Sequence, residues 1–176
     1  MSPDADEPVE ARLGHTLRAA NATVAVAESC TGGLVGARIT DVPGASEYFD
    51  RSLVTYSSRA KRALLAVDRE RLDAHGAVSE PVARAMARAA RDTADATWGL
   101  STTGIAGPGG GTEEKPVGTV YVGVAHAGAW GSGESGATVE HHVFEGDRIE
   151  IKARIARCAL DALLERVREH ERGARS

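Results

Sequence analysis

The sequence predicts an α/β fold in which a mixed, five-stranded sheet carries helices on both faces. Segments with helical spacing alternate with β-branched runs early in the chain, whereas the later strands follow one another without a helix between them. Hydrophobic content is 42% but aromatic content only 4%, with alanine plentiful, so the core should join close-packed small-residue helices to Val/Ile/Leu strands. At 176 residues the chain suffices for one domain and is too short for two ordinary ones with a linker.

The acidic stretch 1–7 is expected to be disordered, 8–168 to form the domain, and 169–176 to fray. Val9, Leu13, Leu17 and Ala20 recur at helical spacing, with Asn21 as a stop. Thr23–Ala27 is the first strand, and from Gly32 a short helix runs to Ile39 before the Asp41–Gly44 turn. Ser52–Ser57 is rich in β-formers. Arg59–Val67 is helical, with Ala60, Ala63, Leu64 and Val67 on one side and Lys61 in an exposed first turn. A short helix from Asp68 to Ala74 closes at His75-Gly76, and Ser79 with Glu80-Pro81 opens an alanine-rich helix to Ala96. Trp98–Gly104, Val117–Ala125 and Ala137–Phe144 complete the sheet. The last helix starts at Asp147 with Glu150 three residues on, a capping box, and runs to Arg168 with Ile151, Ile155, Cys158, Ala162 and Leu163 buried.

Net charge is −4 with both signs interleaved, which argues against a phosphate-backbone binder, so no nucleic acid is expected. No apolar run approaches the ~18–20 residues of a membrane span, and the acidic start is unlike a signal peptide, so no membrane partner and a cytoplasmic location are expected. Cys30 and Cys158 are expected as free thiols. The six histidines are scattered and His141-His142 on a strand point to opposite faces, so no metal is expected.

Ser29 is the leading nucleophile. It stands where an apolar strand meets a glycine-led helix, a junction whose unpaired N–H groups face a developing negative charge. The competing reading makes Ser29 or Thr31 a helix cap and Gly32-Gly33 a packing device. Cys30 is a rival nucleophile at the same helix start. Lys61 is a candidate base, provided that burial or Arg59 and Arg62 lower its pKa from the usual value of about 10.4. The Gly104–Gly111 loop lacks both the Lys-Ser/Thr ending of the triphosphate loop and the dinucleotide fingerprint. What survives is a backbone able to wrap a small anion or a substrate edge. Arg148, just inside the last helix, is suited to a phosphate at that helix start, or else is a solvated arginine beside an acid.

Together, Ala27-Glu28-Ser29-Cys30-Thr31-Gly32-Gly33, Val54-Thr55-Tyr56-Ser57 with Lys61, His75-Gly76-Ala77-Val78-Ser79-Glu80-Pro81, Thr103-Gly104-Ile105-Ala106-Gly107-Pro108, Glu114-Lys115-Pro116-Val117-Gly118-Thr119 and Phe144-Glu145-Gly146-Asp147-Arg148 resemble the CinA C-terminal-domain family, the nicotinamide-nucleotide amidases. The resemblance runs in order from about residue 8 to residue 167. It implies a three-layer α/β/α sandwich with a mixed, mostly parallel five-stranded sheet. It also implies hydrolysis of nicotinamide mononucleotide to nicotinate mononucleotide and ammonia, without metal or cofactor. By that resemblance Ser29 is the nucleophile and Lys61 the general base; Tyr56, expected at the end of its strand, would position Lys61 or the pyridine ring. The N–H groups of Thr31, Gly32 and Gly33, beside Cys30, would hold the oxyanion, while Gly104, Gly107, Gly109 and Arg148 would hold ribose and phosphate.

Ser58 stands where relatives often have asparagine, which leaves the hydrogen bonding around Lys61 open. Many relatives carry an N-terminal molybdopterin-binding-like domain without a counterpart here, so a stand-alone form is expected. The family commonly associates, and an exposed alanine-rich helix would permit a homo-oligomer. The reading of a different class is a non-catalytic nucleotide-binding or partner-binding domain, in keeping with the competence and DNA-damage label of some members.

Overall fold

The computed structural model describes residues 7–174. Helix α1 (Val9–Ala19) leads into strand β1 (Val24–Glu28), α2 (Leu34–Thr40), a 3-10 turn at Ala45–Glu47 and β2 (Phe49–Val54). Three helices follow, α3 (Ser58–Leu65), α4 (Arg69–His75) and α5 (Glu80–Thr93), then β3 (Trp98–Gly104), β4 (Thr119–His126), β5 (Gly136–Val143) and α6 (Arg148–Ala174).

The sheet order is β2-β1-β3-β4-β5. β1 pairs in parallel with β2 and β3, while β3–β4 and β4–β5 are antiparallel, so β4 alone opposes the direction of the other strands. Helices α1, α2 and α6 pack together on one face, and α3 and α4 pack on α5 over the other. The fold is thus the mixed-sheet α/β/α sandwich expected. The chain leaves β1 toward β2 on one side and later returns to β3 on the other, so the carboxyl end of β1 is a topological switch point. Open α/β sheets place their crevice there.

All five residues of β1 are buried, and alternation divides them between the two cores. Val24 and Val26 enter the cluster with α1, α2 and α6, whereas Ala25 and Ala27 enter the cluster with α5. Carried to the strand's end, that period sends Glu28 toward α2 and the next residue, Ser29, toward α3. One peptide step therefore separates a side chain that ties down a loop from one that reaches a base.

Several elements differ from expectation. β2 begins and ends three residues earlier than Ser52–Ser57, so Tyr56 lies in the connection to α3 and not on a strand. Gly32 and Gly33 take φ of +62° and +101°, conformations that exclude them from a right-handed helix, and α2 starts at Leu34. In α3 the buried residues are Lys61 and Leu65; of the expected apolar face, Ala63 and Leu64 are exposed, Ala60 is half-buried, and Val67, just beyond the helix, is buried. The Ser57 hydroxyl accepts from the Ala60 N–H at 3.0 Å, which sets the start and rotation of this helix.

The alanine-rich α5 is not an exposed surface, because Val82, Ala83, Met86, Ala87 and Ala90 are buried against the sheet. α6 continues to Ala174, so the tail expected to fray from Glu169 is helical through that residue. Its capping box forms in both directions, with Asp147 Oδ1 accepting from Glu150 N at 2.9 Å and Glu150 Oε2 accepting from Asp147 N at 2.8 Å. Of its expected buried stripe only Cys158 is half-buried. Of the expected disordered start, residues 1–6 lie outside the described residues. Among the described residues no helix is long and apolar enough to cross a membrane, and both cysteines are free thiols.

Candidate active site

Glu28 builds the loop on which the site rests. Its side chain is fully buried, and its oxygens are occupied by donors from the following segment and from β2. Oε2 accepts from Thr31 Oγ1 at 2.6 Å, Gly33 N at 3.0 Å and Val35 N at 3.1 Å. Oε1 accepts from Gly36 N at 2.8 Å and Ser52 Oγ at 2.7 Å. A carboxylate at a helix N-terminus satisfies orphan N–H groups and interacts favourably with the dipole. The residue capping α2 is thus Glu28, from within β1, and not Ser29 or Thr31. A strand residue whose side chain reaches beyond the next loop leaves no signature in linear capping patterns.

This arrangement occupies two of the three N–H groups expected to hold an oxyanion, those of Gly32 and Gly33, and leaves that of Thr31. The Gly33 N–H is held by Glu28, and the Gly32 N–H donates to Ser29 O at 3.1 Å. The N–H groups of Cys30 and Thr31 make no backbone hydrogen bond among the described residues and directly follow the Ser29 side chain in the chain. The Thr31 hydroxyl is also spent internally, on Glu28 and on Thr102 Oγ1 at 2.8 Å.

Ser29 is 7% exposed, with its N–H extending the β3 ladder to Thr102 O at 3.0 Å. Lys61 Nζ stands 2.8 Å from Ser29 Oγ, 2.8 Å from Thr55 O and 3.2 Å from Tyr56 O. Lys61 is fully buried, not exposed, and burial lowers it from 10.5 to about 8. Three acceptors around one amine suit both protonation states. As an ammonium, Lys61 donates to all three. As a neutral amine, it donates to the two carbonyls, which leaves its lone pair for the Ser29 hydroxyl proton. The dyad can therefore exchange a proton without a side-chain movement.

Cys30, the rival nucleophile, points the other way. Its side chain belongs to the core cluster with α2 and α6, and burial pushes the thiol up to about 12. A thiol so raised is not ionised near neutrality and is a poor nucleophile.

The rim is assembled by Arg148. It donates through one guanidinium nitrogen to Gly107 O and through the other to the Tyr56 hydroxyl at 3.2 Å. The glycine loop, the β2–α3 connection and the start of α6 thereby meet beside the dyad. Tyr56 contributes its carbonyl to Lys61, while the residue as a whole is 60% exposed and its hydroxyl accepts from Arg148.

The loop glycines differ among themselves. Gly104 lies against Thr119 and Val120 of β4, Gly107 has φ +81° with Val117 close by, and Gly109 faces open space. Gly104 thus serves strand packing, and Gly107 presents the carbonyl that Arg148 holds. Lys152 was not singled out by its sequence context. Its Nζ lies 3.8 Å from where a Cβ on Gly32 would stand, and its charge acts on Cys30. The signal for it was its place four residues after Arg148, on the same face of α6.

Comparisons with known proteins agree with this architecture. The residue pattern of the "CinA C-terminal domain" matches residues 6–167. A "CinA-like protein" of Chlorobaculum tepidum is 55% identical over 149 residues, 85% of this chain and 35% of that protein. Another, from an Anaeromyxobacter species, is 49% identical over 160 residues, 91% of this chain and 37% of that protein. The chain thus spans about a third of the length of these curated relatives. Among solved structures, the competence/damage inducible protein CihA of Agrobacterium tumefaciens superposes with a TM-score of 0.83 at 35% identity, over 89% of this chain and 92% of that one. A CinA superfamily protein of Klebsiella pneumoniae gives 0.84 at 31% identity, over 92% and 96%. With the matching pattern over nearly its whole length and this shared fold, the chain belongs to the CinA C-terminal-domain family.

Proposed function

We propose that this domain is a serine amidase that hydrolyses the carboxamide of nicotinamide mononucleotide to nicotinate mononucleotide and ammonia. The observation that carries the reading is the 2.8 Å contact between Ser29 Oγ and a buried, pKa-lowered Lys61. The substrate comes from the family resemblance, and the cationic pair Arg148 and Lys152 on one face of α6 suits its phosphate.

Neutral Lys61 accepts the Ser29 proton as Oγ attacks the amide carbon, and the Cys30 and Thr31 N–H groups receive the oxyanion. Lys61 then returns the proton to the leaving nitrogen, and ammonia departs from the acyl-enzyme. Water adds by the same route, its proton passing to Lys61 and then to Ser29 Oγ as the acid is released. Thr55 O and Tyr56 O hold the amine throughout.

The test is release of ammonia and nicotinate mononucleotide from nicotinamide mononucleotide, with chelator present, by the wild type and by Ser29→Ala. Wild-type release that falls by at least roughly 10³-fold in the variant supports a serine amidase. Folded wild-type protein that binds the mononucleotide but releases no ammonia would replace this reading with the nucleotide-binding one.

A further inference from the structure

A second cluster of reactive side chains lies between β5 and α6 and shares no residue with the Ser29–Lys61 centre. Glu140 and His142 are two residues apart on β5, so their side chains leave the same face of the strand. Their carboxylate and imidazole meet, with His142 Nε2 3.0 Å from Glu140 Oε2. Cys158 comes from the middle of α6, and one donor atom from each of the three residues lies within 4.8 Å of the others. All three are half-buried, at an open cavity of about 430 Å³ that Phe144, Arg154, Arg157, Asp161 and Glu165 also line.

We propose that Glu140, His142 and Cys158 form a binding site for a borderline-soft divalent transition-metal ion, Zn²⁺ foremost. A thiolate, an imidazole nitrogen and a carboxylate oxygen are the donor types that Zn²⁺ takes, and hard ions such as Mg²⁺ do not select sulfur. Tetrahedral metal bonds of about 2.0–2.1 Å set two ligand atoms roughly 3.3–3.4 Å apart, so the hydrogen-bonded Nε2 and Oε2, now 3.0 Å apart, open by a few tenths of an ångström and the ring proton moves to Nδ1. Small rotations of the Glu140 and Cys158 side chains complete the face, while their backbones stay on a strand and a helix.

Asp161 lies one turn beyond Cys158 but is engaged by Arg157, so the fourth position falls to Glu165 or to water. Arg157 is paired with Asp161 at 3.7 Å, which leaves Arg154 as the opposing charge. Binding replaces the thiol S–H bond by a metal–sulfur bond and releases that proton to solvent, with no change of oxidation state. The site would clamp the edge strand to the long helix, so its role is structural and independent of the amidase reading.

Co²⁺ is the probe, added to the whole 176-residue chain freed of metal by chelator and dialysis. One equivalent is expected to produce a thiolate-to-Co²⁺ charge-transfer band with intense visible bands of four-coordination, bleached by an equivalent of Zn²⁺. Cys158→Ser is expected to lose the charge-transfer band, and His142→Ala and Glu140→Gln each to weaken Zn²⁺ binding by roughly tenfold or more. Cys30→Ser should keep the band. Absence of the band at stoichiometric Co²⁺, its survival in Cys158→Ser, or unchanged affinity in both His142→Ala and Glu140→Gln would overturn the proposal. Circular dichroism on each variant separates lost binding from lost fold, and Glu140→Gln, a near-isosteric change, keeps the test decisive.

Discussion

Glu28 and Lys61 are fully buried and Ser29 nearly so, whereas Tyr56 is 60% exposed and Gly109 has nothing within 4 Å of where a side chain would begin. The floor of the site and its rim thus differ in solvent and in rigidity. On the floor, polar atoms are matched by buried partners, so geometry is set before any ligand arrives, and exclusion of water lowers Lys61 toward neutrality. At the rim, an exposed arginine and a glycine loop offer charge and backbone that remain in water and can adapt to a ligand. The contrast separates the requirement for fixed proton transfer from the requirement for recognition.

Removal of the amine should have the largest effect. Lys61→Met is expected to reduce turnover by roughly 10³-fold or more while the substrate still binds. In the wild type kcat/KM should rise with pH and level off above about 8, because only the neutral amine accepts the serine proton. Stability carries the same signature. The folded pKa of about 8 lies below the unfolded 10.5, so the unfolded state binds more protons between these values. Unfolding free energy should therefore gain on the order of 3 kcal/mol as pH rises through that window, and Lys61→Met should lack the gain. A pH-independent difference between wild type and variant in chemical denaturation would contradict a buried, depressed lysine.

Glu28→Gln sharpens the floor from the opposite side. An amide turns at least one N–H toward donors that need an acceptor, so the variant should lose about 1–3 kcal/mol of stability. Turnover should fall with it, because the Cys30–Gly33 backbone loses its tether. Denaturant titration and steady-state kinetics read the two effects, and unchanged values in both would remove Glu28 as the positioning residue.

At the rim, Arg148→Ala should raise KM by roughly tenfold to a hundredfold with much less change in kcat, as loss of a charged hydrogen-bond donor to a bound anion does. A fall in kcat alone would move Arg148 from rim to floor. The smallest effects separate two glycines of one loop. Gly107→Ala should cost about 1–3 kcal/mol, since φ is +81° and a Cβ would stand 2.6 Å from Val117 Cγ1. Gly109→Ala should stay within about 0.5 kcal/mol.

Much of the fold is legible in the residue pattern, since hydrophobic period, turn residues and caps act over a few positions. The residue pattern gives β3 to both ends and the Asp147–Glu150 capping box as it forms. β2 was displaced because Phe49-Asp50-Arg51 reads as polar, although parallel pairing with β1 recruits it. The rotation of α3 was missed because a lysine does not read as a core residue; its long aliphatic stem lets it occupy one when its head finds acceptors.

For the site, Ser29 at a strand–helix junction is visible locally, and Lys61 is one open candidate for its base that the family resemblance singles out. The role of Glu28, the Arg148–Tyr56–Gly107 contacts and the Glu140–His142–Cys158 cluster were not visible. The alternation of helix and strand, the small-residue core and the placement of a serine at the junction after β1 are properties of neighbouring residues, so the chain declares them unaided. The depressed pKa of Lys61, the inward turn of Cys30 and the capture of the Gly33 N–H by Glu28 depend on burial and on partners brought together by packing. Desolvation and long-range hydrogen bonds exist only once the layers have packed.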